Sequence, residues 1–89
     1  MKLETENWFK IANDDLKAAE ILFKEGLYLK VIEHSHAAIE KLLKGIITEQ
    51  KNVVPPKIHD LLSLVSLTLI GNVKEDIKKL FDELNDLFI

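Results

Sequence analysis

One stretch limits what this chain can fold into: Glu33-His34-Ser35-His36-Ala37-Ala38-Ile39-Glu40-Lys41-Leu42-Leu43-Lys44-Gly45. Placed on a helix at about 100° per residue, Tyr28, Ile32, Ser35, Ile39, Leu42, Leu43 and Ile46 share one broad face. His34 and Lys41 point the opposite way, toward solvent. His36 and Glu40 fall on the flank of the apolar face, one turn apart, where side chains meet. Lys44 continues that row outward. A buried stripe edged by a His–Glu–Lys row belongs to a helix packed in a bundle.

The rest of the chain repeats the same periodicity. Trp8, Phe9, Ala12, Leu16, Ala19, Leu22 and Phe23 keep helical spacing, which predicts a first helix over 4–25 ending at Gly26. The second helix, 27–51, follows almost at once and forms an antiparallel hairpin with the first. Pro55-Pro56 bars a helix through the next segment. A third helix is predicted over 58–70, apolar nearly all round and so central or at an interface. Gly71-Asn72 separates it from a fourth over 73–88, with Ile77, Leu80, Phe81, Leu84, Leu87 and Phe88 on one stripe. The expectation is a single all-α domain, 1–89, folded as an up-and-down four-helix bundle. The last stripe is still in register at Ile89, so either a partner chain covers it or a fuller form of the domain continues.

Composition narrows the function. The chain has 89 residues, a net charge of −3, twelve lysines, no arginine and no cysteine. An acidic chain without arginine is a poor general nucleic-acid binder, because phosphate neutralisation dominates that affinity. Lack of cysteine removes disulfides and thiolate metal sites, and suits a reducing interior. The most apolar run, Leu61 to Ile70, is too short to span a bilayer. The charged first residues lack an apolar signal core. These features favour a cytoplasmic protein without a membrane segment. A core this small stabilises modestly, which favours pairing with a second copy.

Four stretches, in order and across nearly the whole chain, resemble the HEPN family. They are Trp8 with Ala12, Asp15-Leu16 and Ala19; Gly26-Leu27-Tyr28 leading into a helix; His36-Ala37-Ala38-Ile39-Glu40-Lys41-Leu42-Leu43-Lys44; and Pro55-Pro56-Lys57-Ile58-His59-Asp60-Leu61. The resemblance implies a helical bundle, often dimeric. It also implies one of three roles: nucleotide binding, partnership with a small nucleotidyltransferase in a toxin–antitoxin type pair, or RNA cleavage. The RNA-cleaving members use an Arg followed at short distance by a His, and this chain has no arginine. Lys30 precedes His36 at a compatible distance but lacks the planar guanidinium fork. Ile58 stands where the family usually has Thr. The resemblance therefore favours a non-catalytic module binding a nucleotide or a partner protein, with no cofactor. An RNase built across a dimer and a purely structural dimerisation bundle are the alternatives.

The candidate ligand-binding residues are His36, Glu40, Lys44 and His59. For His36 and Glu40 the simpler reading, a flank histidine holding two helices in register, carries more weight. Asp15 sits inside the apolar stripe of the first helix and needs a partner. It is expected to converge with His36 and Glu40. His34 is read as a solvated surface residue. Asp60 is expected to cap the third helix, and capping outweighs a phosphate site at His59. Lys41, Lys44, Lys51 and Lys57 read as ordinary solubility charge with a weak basic rim as the alternative. No metal site is expected, since His34 and His36 face apart and a third ligand beside His36 and Glu40 is missing.

Overall fold

The computed structural model describes residues 1–71 and 74–88, without the side chain of Phe88. The expected turn residue Asn72, the helix start at Val73 and the stripe at Phe88 and Ile89 thus lie outside the described residues. Four helices follow one another: α1 (Leu3–Lys24), α2 (Tyr28–Lys51), α3 (Leu61–Ser66) and α4 (Glu75–Phe88).

Gly26 makes the α1–α2 hairpin possible. Its φ of 76° lies in the left-handed region, where glycine meets no Cβ penalty. Gly26 N–H then donates to Phe23 O at 3.1 Å and Leu27 N–H to Leu22 O at 3.0 Å, a Schellman stop that reverses the chain. At the far end Lys2 Nζ donates to Thr48 O at 3.2 Å and Glu49 O at 2.6 Å. The ammonium satisfies the Glu49 carbonyl, which the end of α2 leaves open, and joins Asn52 N–H on the Thr48 carbonyl. It fastens the start of α1 to the end of α2.

Between these ends the helices touch through small residues. Ala12 and Ala19 are buried on α1. Gly45 on α2 lies under Trp8 and Phe9, and a Cβ there would sit 2.6 Å from Phe9 Cε1 and 3.0 Å from Trp8 Cβ.

α2 is the central element. Among the described residues α1 packs on α2 alone, while α3 and α4 pack on α2 and on each other. The core lies on that second side: Leu43, Ile47, Leu61, Leu64, Val65 and Leu84, flanked by Ile32, Ile39, Ile58, Leu67 and Phe81. The radius of gyration, 13.2 Å, exceeds the roughly 12 Å of a compact chain this long. The bare end of the hairpin accounts for it, with Phe23, Leu27, Tyr28 and Leu29 exposed.

α3 is much shorter than the predicted 58–70. Lys57 to His59 continue the non-helical path set by the prolines, and the helix begins only after Asp60. Its far end stops early because hydroxyls bind back to the chain: Ser66 Oγ donates to Ser63 O at 2.6 Å and Thr68 Oγ1 to Val65 O at 2.7 Å. Such local bonds offer the backbone an alternative to helix. Leu69 N–H then donates to Gln50 Oε1 at 2.7 Å, tying the turn to α2. Among the described residues no helix is long and apolar enough to cross a membrane.

Candidate functional site

The polar row of α2 is buried, not marginal. His36 and Glu40 are each 5% exposed and Lys44 6%. Tyr28 and Leu42, expected on the buried face, are exposed instead. The contact face is thus rotated toward the row. α1 covers it on one side and the segment before α3, together with α4, covers it on the other. Lys44 does not continue outward: its Nζ lies over the Trp8 ring, 5.9 Å from the centroid.

Glu40 is the centre of the arrangement. Its Oε2 accepts from Lys44 Nζ at 2.9 Å, and Lys41 Nζ stands 3.8 Å away. Its Oε1 accepts from His59 Nδ1 at 2.9 Å, with His36 Nδ1 at 3.9 Å. Burial pushes the Glu40 carboxyl upward. Hydrogen bonds from Lys44 and His59, and the charges of Lys44 and Lys41, outweigh it and hold the group below its ordinary range. The site therefore contains a carboxylate, not a carboxylic acid.

The prolines bring His59 there. From Lys51 back to Glu40, α2 descends about 16 Å. A chain of eight extended residues spans on the order of 25 Å, enough for Asn52 to His59 to run back along the helix. Buried Pro55 anchors the path. His59 arrives with its side chain 66% exposed, so its Nδ1 edge is fixed by Glu40 while the rest of the ring faces outward.

Asn85 on α4 is a site residue that sequence reasoning missed. Its Oδ1 accepts from Leu61 N–H at 3.2 Å and its Nδ2 donates to Asp60 Oδ1 at 3.2 Å. These two bonds orient the amide, so the bond of 3.2 Å between Asn85 Oδ1 and His36 Nε2 must be donated by His36. One signal was available: Asn85 stands four residues after Phe81, where the apolar stripe of α4 passes. Asp60 Oδ1 also accepts from Ser63 N–H at 3.1 Å as the N-cap of α3. Glu33, His36, Glu40 and His59 together line a depression of about 270 Å³.

Asp15 does not join this cluster as expected. Its Oδ1 accepts from His34 Nδ1 at 3.0 Å, between α1 and α2. His34 is accordingly half-buried and paired, not a solvated surface residue. The reason is angular: His34 and His36 stand about 200° apart on α2, so each serves a different flank. Among the described residues no group of three or more His, Cys, Asp or Glu is placed to hold a metal ion.

The arrangement can orient an imidazole against a permanent carboxylate and display it at the mouth of a small polar depression. Comparison with curated proteins and with solved structures finds no match. The HEPN domain family matches residues 5–89, a span that includes every residue of this cluster. The chain therefore belongs to the HEPN domain family.

Proposed function

We propose that this chain is a non-catalytic HEPN module that binds a nucleotide and works beside a small nucleotidyltransferase, as in a toxin–antitoxin type pair. The observation that carries the reading is the Glu40–His59 contact at 2.9 Å. A buried carboxylate has spent its charge on orienting an exposed imidazole toward a depression, more organisation than helix packing needs. Lys41, with a side chain 26% exposed, stands close enough to meet a phosphate outside the depression. The missing arginine supports binding over cleavage, since no permanently charged fork is present to clamp a transition state.

The module is read as a cytoplasmic homodimer. Its lack of cysteine suits a reducing compartment. Exposed Ile77, Leu80 and Leu87 on α4 supply apolar surface for a second copy.

Titration calorimetry with adenosine, cytidine, guanosine and uridine monophosphates tests the binding. At least one should bind, and His59→Ala should weaken it about tenfold, the loss of one hydrogen bond. Absence of binding by all four rejects the nucleotide reading. The same Glu40–His59 pair favours a second reading, RNA cleavage with His59 as acid or base. RNA cut by highly purified protein, and spared by a His36→Ala, His59→Ala double variant, would establish it.

A further inference from the structure

We propose that Asn85 is the positioning residue of the depression, so that a ligand bound there and the docking of α4 strengthen each other through its side chain. This deepens the nucleotide-binding reading and rests on it for the identity of the ligand. Asn85 stands behind the depression, whose lining is Glu33, His36, Glu40 and His59. Its amide reaches both segments that carry those residues.

Asn85 Oδ1 accepts from Leu61 N–H at 3.2 Å, and Nδ2 donates to Asp60 Oδ1 at 3.2 Å. Leu61 N–H is one of the donors that the first turn of α3 leaves open. Leu61 is fully buried, where a donor without a partner is costly. Asp60 closes the same turn through Ser63 N–H at 3.1 Å. α3 is thus capped from two sides, by the residue before it and by α4. The same Asn85 Oδ1 meets His36 Nε2 at 3.2 Å, on the wall that α2 supplies. What α4 grips is therefore next to His59 in the chain and is His36 itself on the helix.

His59 depends on that grip. Its side chain is 66% exposed and meets Glu40 Oε1 at 2.9 Å. Glu40 fixes one edge of the ring, while Asn85 fixes the chain that follows it. Consecutive Cα atoms stand about 3.8 Å apart, so His59 stays beside α2 while Asp60 is held and gains freedom once Asp60 is released. The apolar hold on α4 is thin. Among the described residues Leu84 is its one side chain in the buried core, with Phe81 packed against that core. Ile77, Leu80 and Leu87 are exposed. The amide adds directional bonds to this contact. A ligand that needs His36 and His59 in their present places therefore favours docked α4, and by linkage docked α4 favours the ligand.

The first measurement needs no ligand. Asn85→Leu removes all three bonds, keeps a side chain of similar size and suits a helix. Asn85→Ala carries the same expectation, so a leucine that does not fit leaves the test intact. Ring resonances of His59 are followed by NMR at one pH. Both Asn85 variants should move or broaden them. Ile47→Val trims the buried core and spares the amide, so it should lower Tm and leave His59 in place. Calorimetry then uses adenosine, cytidine, guanosine and uridine monophosphates. Whichever binds the wild type should bind Asn85→Leu about fivefold or more weakly. Bound nucleotide should also slow hydrogen exchange of the α4 amides in the wild type. If none of the four binds yet His59 responds to the Asn85 variants alone, the nucleotide reading falls and the positioning of His59 by Asn85 stands. A His59 ring unmoved by the Asn85 variants or moved equally by Ile47→Val, an unchanged affinity, or α4 exchange indifferent to bound nucleotide overturns the proposal.

Discussion

Glu40 and His59 lie 19 residues apart in sequence, and the Nδ1 of one meets the Oε1 of the other at 2.9 Å. The contact closes the proline segment back onto α2 and fixes which edge of the imidazole faces outward. Glu40 also holds Lys44 at 2.9 Å in the interior. One carboxylate thus serves both the packing of α1 on α2 and the presentation of His59.

Removing that carboxylate should be costly. Glu40→Ala leaves the Lys44 ammonium buried without its partner, a change worth about 3 kcal/mol or more. Glu40→Gln keeps an acceptor and should cost less. Urea denaturation read by circular dichroism orders the two. Equal stability of the wild type and Glu40→Ala would mean that Lys44 finds water easily.

Acid should weaken the fold through the same group. Glu40 titrates below its ordinary value of about 4.5, so its folded form binds protons less readily than its unfolded form. The stability it contributes is present above that ordinary value and is lost as pH falls through the depressed one. Thermal melts between about pH 6 and pH 3 should show a drop in Tm that is smaller in Glu40→Gln. A pH profile unchanged by the substitution would place the acid sensitivity elsewhere.

Gly45 should not tolerate a side chain. Alanine favours helix over glycine by about 1 kcal/mol, but its Cβ would come within 2.6 Å of the Phe9 ring and 3.0 Å of Trp8 Cβ. The Phe9 ring can move; the Trp8 Cβ is held in place by the backbone of α1 and cannot move alone. Overpacking of this kind costs about 1–3 kcal/mol. Gly45→Ala should therefore lower Tm, and Gly45→Val should lower it further. A Gly45→Ala variant as stable as the wild type would show that α1 shifts freely on α2.

Self-association should depend on exposed α4 residues. Leu84 is buried in the core, so charging it would damage folding rather than report on an interface. Leu80 and Leu87 are exposed and are the better probes. A Leu80→Glu, Leu87→Glu double variant should shift the chain toward monomer in sedimentation at micromolar concentration while keeping its helical spectrum. Leu16 and Leu42, exposed on the opposite α1–α2 face, provide the control pair. Dissociation by the control pair alone would move the interface to that face.

Helical periodicity by itself determined the number and order of the helices, because spacing of apolar residues is a local property. It also determined the hairpin at Gly26, the break at Pro55-Pro56 and the alignment of His36, Glu40 and Lys44 in one row, all within reach of a single turn or segment. It could not determine which side of α2 would be covered. That depends on where α1 and the returning proline segment pack, and their packing turned an expected flank into the interior. The partners of the polar groups were settled at the same level. Asp15 met His34 because α1 crosses that flank of α2, and Asn85 reached His36 because α4 docks on α2 and α3 alone. The ends of α3 were decided by hydroxyl and carboxylate side chains that compete for backbone groups once the chain is in place. A one-dimensional pattern records which faces are apolar; burial and pairing are set by contacts between distant segments, which only the packed molecule brings together.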